Sequence, residues 1–287
     1  MSSALQEFVY KMPGVAGGNR PGAHRSKSRG AGMSFIAHAR LFDQPDPRRL
    51  DLRASVLNLH GDWLVRSYLQ RSSIAIKAIV DVSESMRYGS PGKLQVAADF
   101  LQSLGQSAYG YGDAVSLLAF DHKFREDLFL PARTSRANGL TMATRVLESA
   151  CAKHGDAAIT GFSDALERVS GSSGLVFAVS DFHWPIDQLT RALDKLSTAV
   201  VVPLVIWDQS EIVPPPAGQW VSVNDIKSRR KRHLWMKQRT RDQWIDNIRL
   251  RRTQLCDAFE HHNCIPIFLN SRFDADILSR YFMEKVA

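Results

Sequence analysis

One stretch constrains the fold of this chain more than any other. Ile74, Ile76, Ile79 and Val80 belong to a run of β-branched and apolar residues that ends abruptly in Asp81, Ser83 and Ser85. An apolar run of that length reads as a buried strand. The three oxygen-bearing side chains then fall at i, i+2 and i+4, where the strand opens into a loop. In an α/β sheet, ligands are presented at the carboxyl ends of the strands. One carboxylate and two hydroxyls are hard donors, suited to Mg²⁺, Mn²⁺ or Ca²⁺. The pattern points to a metal used for adhesion rather than for catalysis.

From residue 74 onward, strand and helix patterns alternate. Leu94, Ala97, Ala98, Leu101 and Leu104 mark one face of a helix over 93–109. Further strands are expected over 114–120, 128–130, 174–180, 198–207 and 264–269. Helices are expected over 141–153, 161–170, 186–196, 240–262 and 274–283. The alternation predicts an α/β fold, a doubly wound and mostly parallel sheet flanked by helices on both faces. Residues 63–70 are expected to pair with 74–80, and 220–224 to form an edge strand. The chain divides into a basic Gly/Ser-rich arm over 1–32, a hairpin-like extension over 33–73, a core over 74–210, and a C-terminal extension over 211–287 that completes the domain.

A second buried strand, ending at Ser180, runs directly into Asp181, and Thr160 is expected in a loop just before a helix. If these ends converge, Asp81, Ser83, Ser85, Thr160 and Asp181 surround one cation, Mg²⁺ or else Ca²⁺ or Mn²⁺. Two carboxylates and three neutral hydroxyls leave positions for water, as Mg²⁺ prefers. A cation held that way attracts a carboxylate from a partner. Glu84, His183 and Trp184 are the rim residues expected to touch that partner. The bland alternative is that Asp81 and Ser83 only cap the loop.

The net charge of +8 permits an acidic partner, a nucleic acid or an anionic surface. Basic residues cluster at Arg20, Arg25, Lys27 and Arg29, and again at Lys227, Arg229, Arg230, Lys231 and Arg232. A solvated hairpin or an acidic protein partner is the preferred reading of the second cluster. Nucleic-acid binding is the runner-up. No apolar run is long enough to span a bilayer, and the first eleven residues lack a signal-peptide core, so a cytoplasmic location is expected. Cys151, Cys256 and Cys264 are expected to be free thiols. A phosphate-binding Gly-Lys loop and a nucleophile elbow are both lacking. A metal-dependent hydrolase would have only Glu84, His122 or His183 as its base, so no enzymatic activity is expected.

Residues 74–207, through Asp81-Val82-Ser83-Glu84-Ser85, resemble a von Willebrand factor A-type domain. The stretches from Arg20 to Gly32, from Asp46 to Ser55 and from Val179 to Phe182 resemble the MoxR-associated subfamily, so that the likeness covers roughly residues 18–284. The resemblance implies a metal-dependent adhesion site at Asp81, Ser83 and Ser85, with Asp181 as its last carboxylate. Its threonine maps to Thr160, although this chain has Thr160-Gly161-Phe162 where members often carry Thr-Asp-Leu, and Thr141 or Thr144 can serve instead. The resemblance also implies a MoxR-type AAA+ ATPase as partner and a role in assembling or metal-loading a client with an acidic residue. For the branch encoded beside methanol dehydrogenase, that role is calcium insertion.

Overall fold

In a computed structural model of the chain, residues 6–12, 21–30, 34–150, 158–171, 174–195, 200–224 and 231–284 are described. They form two compact units, one of Met12–Ile74 and one of Met1–Lys11 with Ala75–Ala287.

The smaller unit holds β1 (Pro21–Gly30), β2 (Ser34–Arg40), the short helix α1 (Leu52–Val56) and β3 (Leu64–Ser72). These strands make an antiparallel sheet in the order β1-β3-β2. Two expectations are corrected here. Part of the segment read from its composition as an arm is strand β1, which pairs along β3. Residues 64–70 belong to β3, whose partners are β1 and β2 and not the run at 74–80. Asp51 ties the unit together locally. It caps α1 through the Ala54 N–H and takes the Arg66 guanidinium of β3 at 2.8 Å.

The larger unit carries β4 (Ala75–Asp81), α2 (Lys93–Tyr111), β5 (Ala114–Phe120), β6 (Leu130–Arg133), α3 (Asn138–Leu147), α4 (Ala158–Glu167), β7 (Leu175–Ser180), α5 (Ile186–Leu193) and β8 (Val200–Trp207). It continues with α6 (Gln209–Ile212), β9 (Trp220–Asn224), β10 (Lys231–Trp235), α7 (Gln238–Glu260), β11 (Ile267–Asn270) and α8 (Ala275–Glu284). Six strands form the central sheet in the order β11-β8-β7-β4-β5-β6, parallel except for β6. The expected α/β class is the observed one. β9 is not an edge of this sheet; it pairs only with β10, as a separate hairpin.

Strand periodicity sorts the two faces. Phe177 points to a layer where it meets Phe100 of α2, Phe282 of α8 and Phe8. Its neighbours Val176 and Ala178 point the other way, into a cluster with Phe162, Leu189 and Phe259 from α4, α5 and α7. Phe8 and Tyr10 are buried, so part of the expected arm completes this core. Gly105 and Gly139 let α2 and α3 touch backbone to backbone, since a Cβ on Gly105 would lie 2.3 Å from the Gly139 Cα.

The consequence for function is topological. From β4 the chain first moves outward to β5 and β6, then returns to the other side of β4 to lay down β7 and β8. The carboxyl ends of β4 and β7 therefore flank the switch point, where an open parallel sheet leaves a crevice for ligands.

Candidate metal centre

Asp81 is the last residue of β4 and Asp181 the first beyond β7, so parallel pairing of these strands brings two carboxylates together. Both are buried, at 0% and 1% exposure. Asp81 Oδ1 accepts the Ser83 N–H at 2.8 Å, and its Oδ2 accepts the Ser180 hydroxyl at 2.7 Å. Ser83 Oγ lies 3.2 Å from Ser85 Oγ. The Ser85 side chain also hydrogen-bonds Asp181. Asp81, Ser83, Ser85 and Asp181 thus meet at one place, as the sequence pattern anticipates.

The electrostatics show an unbalanced charge. Burial first, then the neighbouring Asp181 charge, push Asp81 up to about 7, against the hydrogen bonds from Ser83 and Ser180. Burial also acts to raise Asp181, but Lys93 and then His183 outweigh it and hold this carboxyl below its usual range. The chemistry of the donor set fits a hard divalent cation: two carboxylates and two hydroxyls 3.2 Å apart, with Asp81 in no ion pair among the described residues.

Thr160 stands apart from these four. It lies inside the first turn of α4 rather than in a preceding loop, and its side chain is exposed. The next residue fixes that turn: a Cβ on Gly161 would lie 2.4 Å from the Asp121 carbonyl oxygen, so α4 begins against the loop that leaves β5. Asp121 itself is buried and bound to Arg125 at 2.9 Å, which gives it a structural role.

The rim residues divide. Glu84 begins a 3-10 turn, Glu84–Arg87, and is half-buried. His183 is partly exposed, stacked on Trp207 with ring centroids 5.7 Å apart. Trp184 is corrected: it is only 8% exposed and packs against Phe120, Phe162 and Phe182, so it is a core residue and not a partner contact. Large aromatic area drives such burial.

Four further side chains brace this group. Lys93 Nζ donates to Asp181 Oδ2 at 2.8 Å and to Glu211 Oε1 at 2.9 Å, with 1% of its side chain exposed. Burial acts to lower its pKa, but the two carboxylates outweigh this and hold it raised, so the ammonium stays charged. Ser180 binds Asp81. Glu211 closes a capping box with Asp208 at the start of α6. Arg251 of α7 donates to the carbonyls of Phe182 and Trp184, bracing the loop after Asp181. Phe182 in that loop takes φ of +50°, a strained conformation of the kind that gathers at functional sites. One signal was available for Lys93. It is the first residue of a helix, where the dipole disfavours a cation, so its presence there calls for an anion nearby.

Cys256 and Cys264 are free thiols, while Cys151 lies outside the described residues, as do Lys227, Arg229 and Arg230. No described helix is long and apolar enough to cross a membrane.

Comparison with known proteins gives a family and several distant structural likenesses. No curated protein matches the chain. BatB from Bacteroides thetaiotaomicron, described as a conserved hypothetical protein, is 13% identical with a TM-score of 0.45, over 75% of this chain and 98% of that one. An aerotolerance-related membrane protein from Bacteroides fragilis is 13% identical with a TM-score of 0.43, over 75% and 98%. The VWA domain of SpRpn10 is 11% identical with a TM-score of 0.38, over 75% and 97%. The family model described as protein of unknown function DUF58 matches residues 46–254, most of the length, and this chain belongs to that family.

Proposed function

We propose that this protein is a non-enzymatic, metal-dependent protein-binding and assembly factor. The observation that carries the reading is the convergence of Asp81, Ser83, Ser85 and Asp181 at the ends of adjacent parallel strands, where burial and the Asp181 charge oppose ionisation of Asp81. These four residues would hold Mg²⁺, or Ca²⁺ or Mn²⁺ in its place. A bound ion supplies a positive charge with an exchangeable position for a partner's carboxylate. The chain's own part is to hold the donors in place, through β4, β7 and the braced loop after Asp181. A cleft of about 890 Å³ is lined by Arg87, Tyr88, Asp208 and Ser210 among others, and not by the four candidate ligands.

The finer reading rests on the sequence resemblance. It makes the partner a MoxR-type AAA+ ATPase acting in the cytoplasm. In the MxaS branch, the client is methanol dehydrogenase and the task is its calcium loading. The test is capture of a co-expressed MoxR-type ATPase in Mg²⁺ and in EDTA, by the wild type and by Asp81→Ala. Capture lost in EDTA and in the variant supports the reading; capture indifferent to both refutes it.

One observation favours a second reading. Trp220 and Trp235 are 71% and 46% exposed and lie side by side on the paired strands β9 and β10. Exposed indoles can stack on single-stranded bases. Binding of an oligonucleotide that falls steeply with salt and ignores EDTA would support this reading.

A further inference from the structure

The Lys93 ammonium sits inside the acidic constellation, where a metal site would not need it. It is bound to Asp181 at 2.8 Å and to Glu211 at 2.9 Å and is closed off from solvent. Nothing in the helix asks for a lysine there, since the start of α2 already presents the positive end of its dipole. Removing the charge from water is costly, and the paired carboxylates compensate.

We infer that Lys93 is a resident cation of the adhesion site, one that keeps its metal affinity low and leaves the loaded site able to accept an acidic side chain. This inference rests on the metal-binding reading above. The charges of the group make the case. With all three ionised, as a bound cation would hold them, Asp81, Asp181 and Glu211 carry three negative charges and Lys93 one positive, leaving two for a divalent ion to neutralise. Without Lys93 the ion would bind more tightly, because the like charge paired with Asp181 is gone. The loaded group would then keep one net negative charge and repel a partner's carboxylate. Lys93 is therefore a positioning residue with two effects of opposite sign: it weakens the metal and strengthens the partner contact. A merely structural lysine would not produce that split.

The test is titration of the full chain with Mn²⁺ alone, followed by electron paramagnetic resonance, for wild type, Lys93→Met and Lys93→Arg. The expected result is at least about tenfold tighter Mn²⁺ binding by Lys93→Met, with Lys93→Arg near the wild type. A folded Lys93→Met that binds Mn²⁺ equally or more weakly overturns the inference, while wild-type binding leaves the metal reading standing. No Mn²⁺ binding by wild type or variant overturns both. Should Lys93→Met fail to fold, Glu211→Gln reads the same charges in the other direction: Mn²⁺ binding weakened about threefold or more supports the inference. Unchanged or tighter binding overturns it.

Discussion

Lys93 Nζ lies 2.8 Å from Asp181 Oδ2, and each of the two side chains is 1% exposed. The pair joins the first turn of α2 to the end of β7 across the crevice. Deleting one partner of a buried ion pair strands the other charge. Lys93→Ala is therefore expected to destabilise the metal-free protein by about 3–5 kcal/mol, and Lys93→Arg by much less. Urea denaturation followed by circular dichroism measures both.

Asp81→Asn should do the reverse. The folded protein holds Asp81 up at about 7, well above the value of 3.8 for a free carboxyl. A raised folded pKa gives stability that is present at acid pH and is lost as pH rises through about 7. The neutral amide removes that loss. We expect Asp81→Asn to stabilise the metal-free protein by roughly 2 kcal/mol at pH 8, with little gain at pH 4. Thermal melts at the two pH values test this, and the same variant should fail to retain a metal-dependent partner.

Gly161→Ala should disturb the start of α4. The added methyl would meet the Asp121 carbonyl oxygen at 2.4 Å and the Lys123 backbone at 2.9 Å, and neither can swing aside as a side chain would. A loss of about 1–3 kcal/mol is expected.

Arg251→Met keeps the bulk of the side chain and removes its bonds to the carbonyls of Phe182 and Trp184. The expected cost is about 1–3 kcal/mol. Hydrogen exchange should quicken at the amides of residues 182–184, since the brace on that strained loop is gone. Unchanged exchange there would show that the loop holds itself.

The strand ends were legible in the sequence because their signal is local. Period-2 burial and an abrupt change to oxygen-bearing side chains place Asp81, Ser83, Ser85 and Asp181 without knowledge of the sheet. Lys93 and Glu211 escaped because their roles depend on three segments meeting, residues 118 apart in sequence. Trp184 was misjudged because adjacency to Asp181 in sequence says nothing of direction, and the left-handed turn at Phe182 carries the chain into the core. Residues 64–70 were paired with the wrong strand because a period of two fixes which side chains share a face and leaves the neighbour open. The fold class was read correctly, since the alternation of strands and helices runs along most of the larger unit.

The most direct measurement is Mn²⁺ binding by the purified full chain, wild type beside a Ser83→Ala, Ser85→Ala double variant. The two hydroxyls lie 3.2 Å apart at the centre of the constellation. The account predicts one saturable Mn²⁺ per chain in the wild type and affinity weakened about a hundredfold in the double variant. Equal binding by both proteins, or none by the wild type, would contradict it.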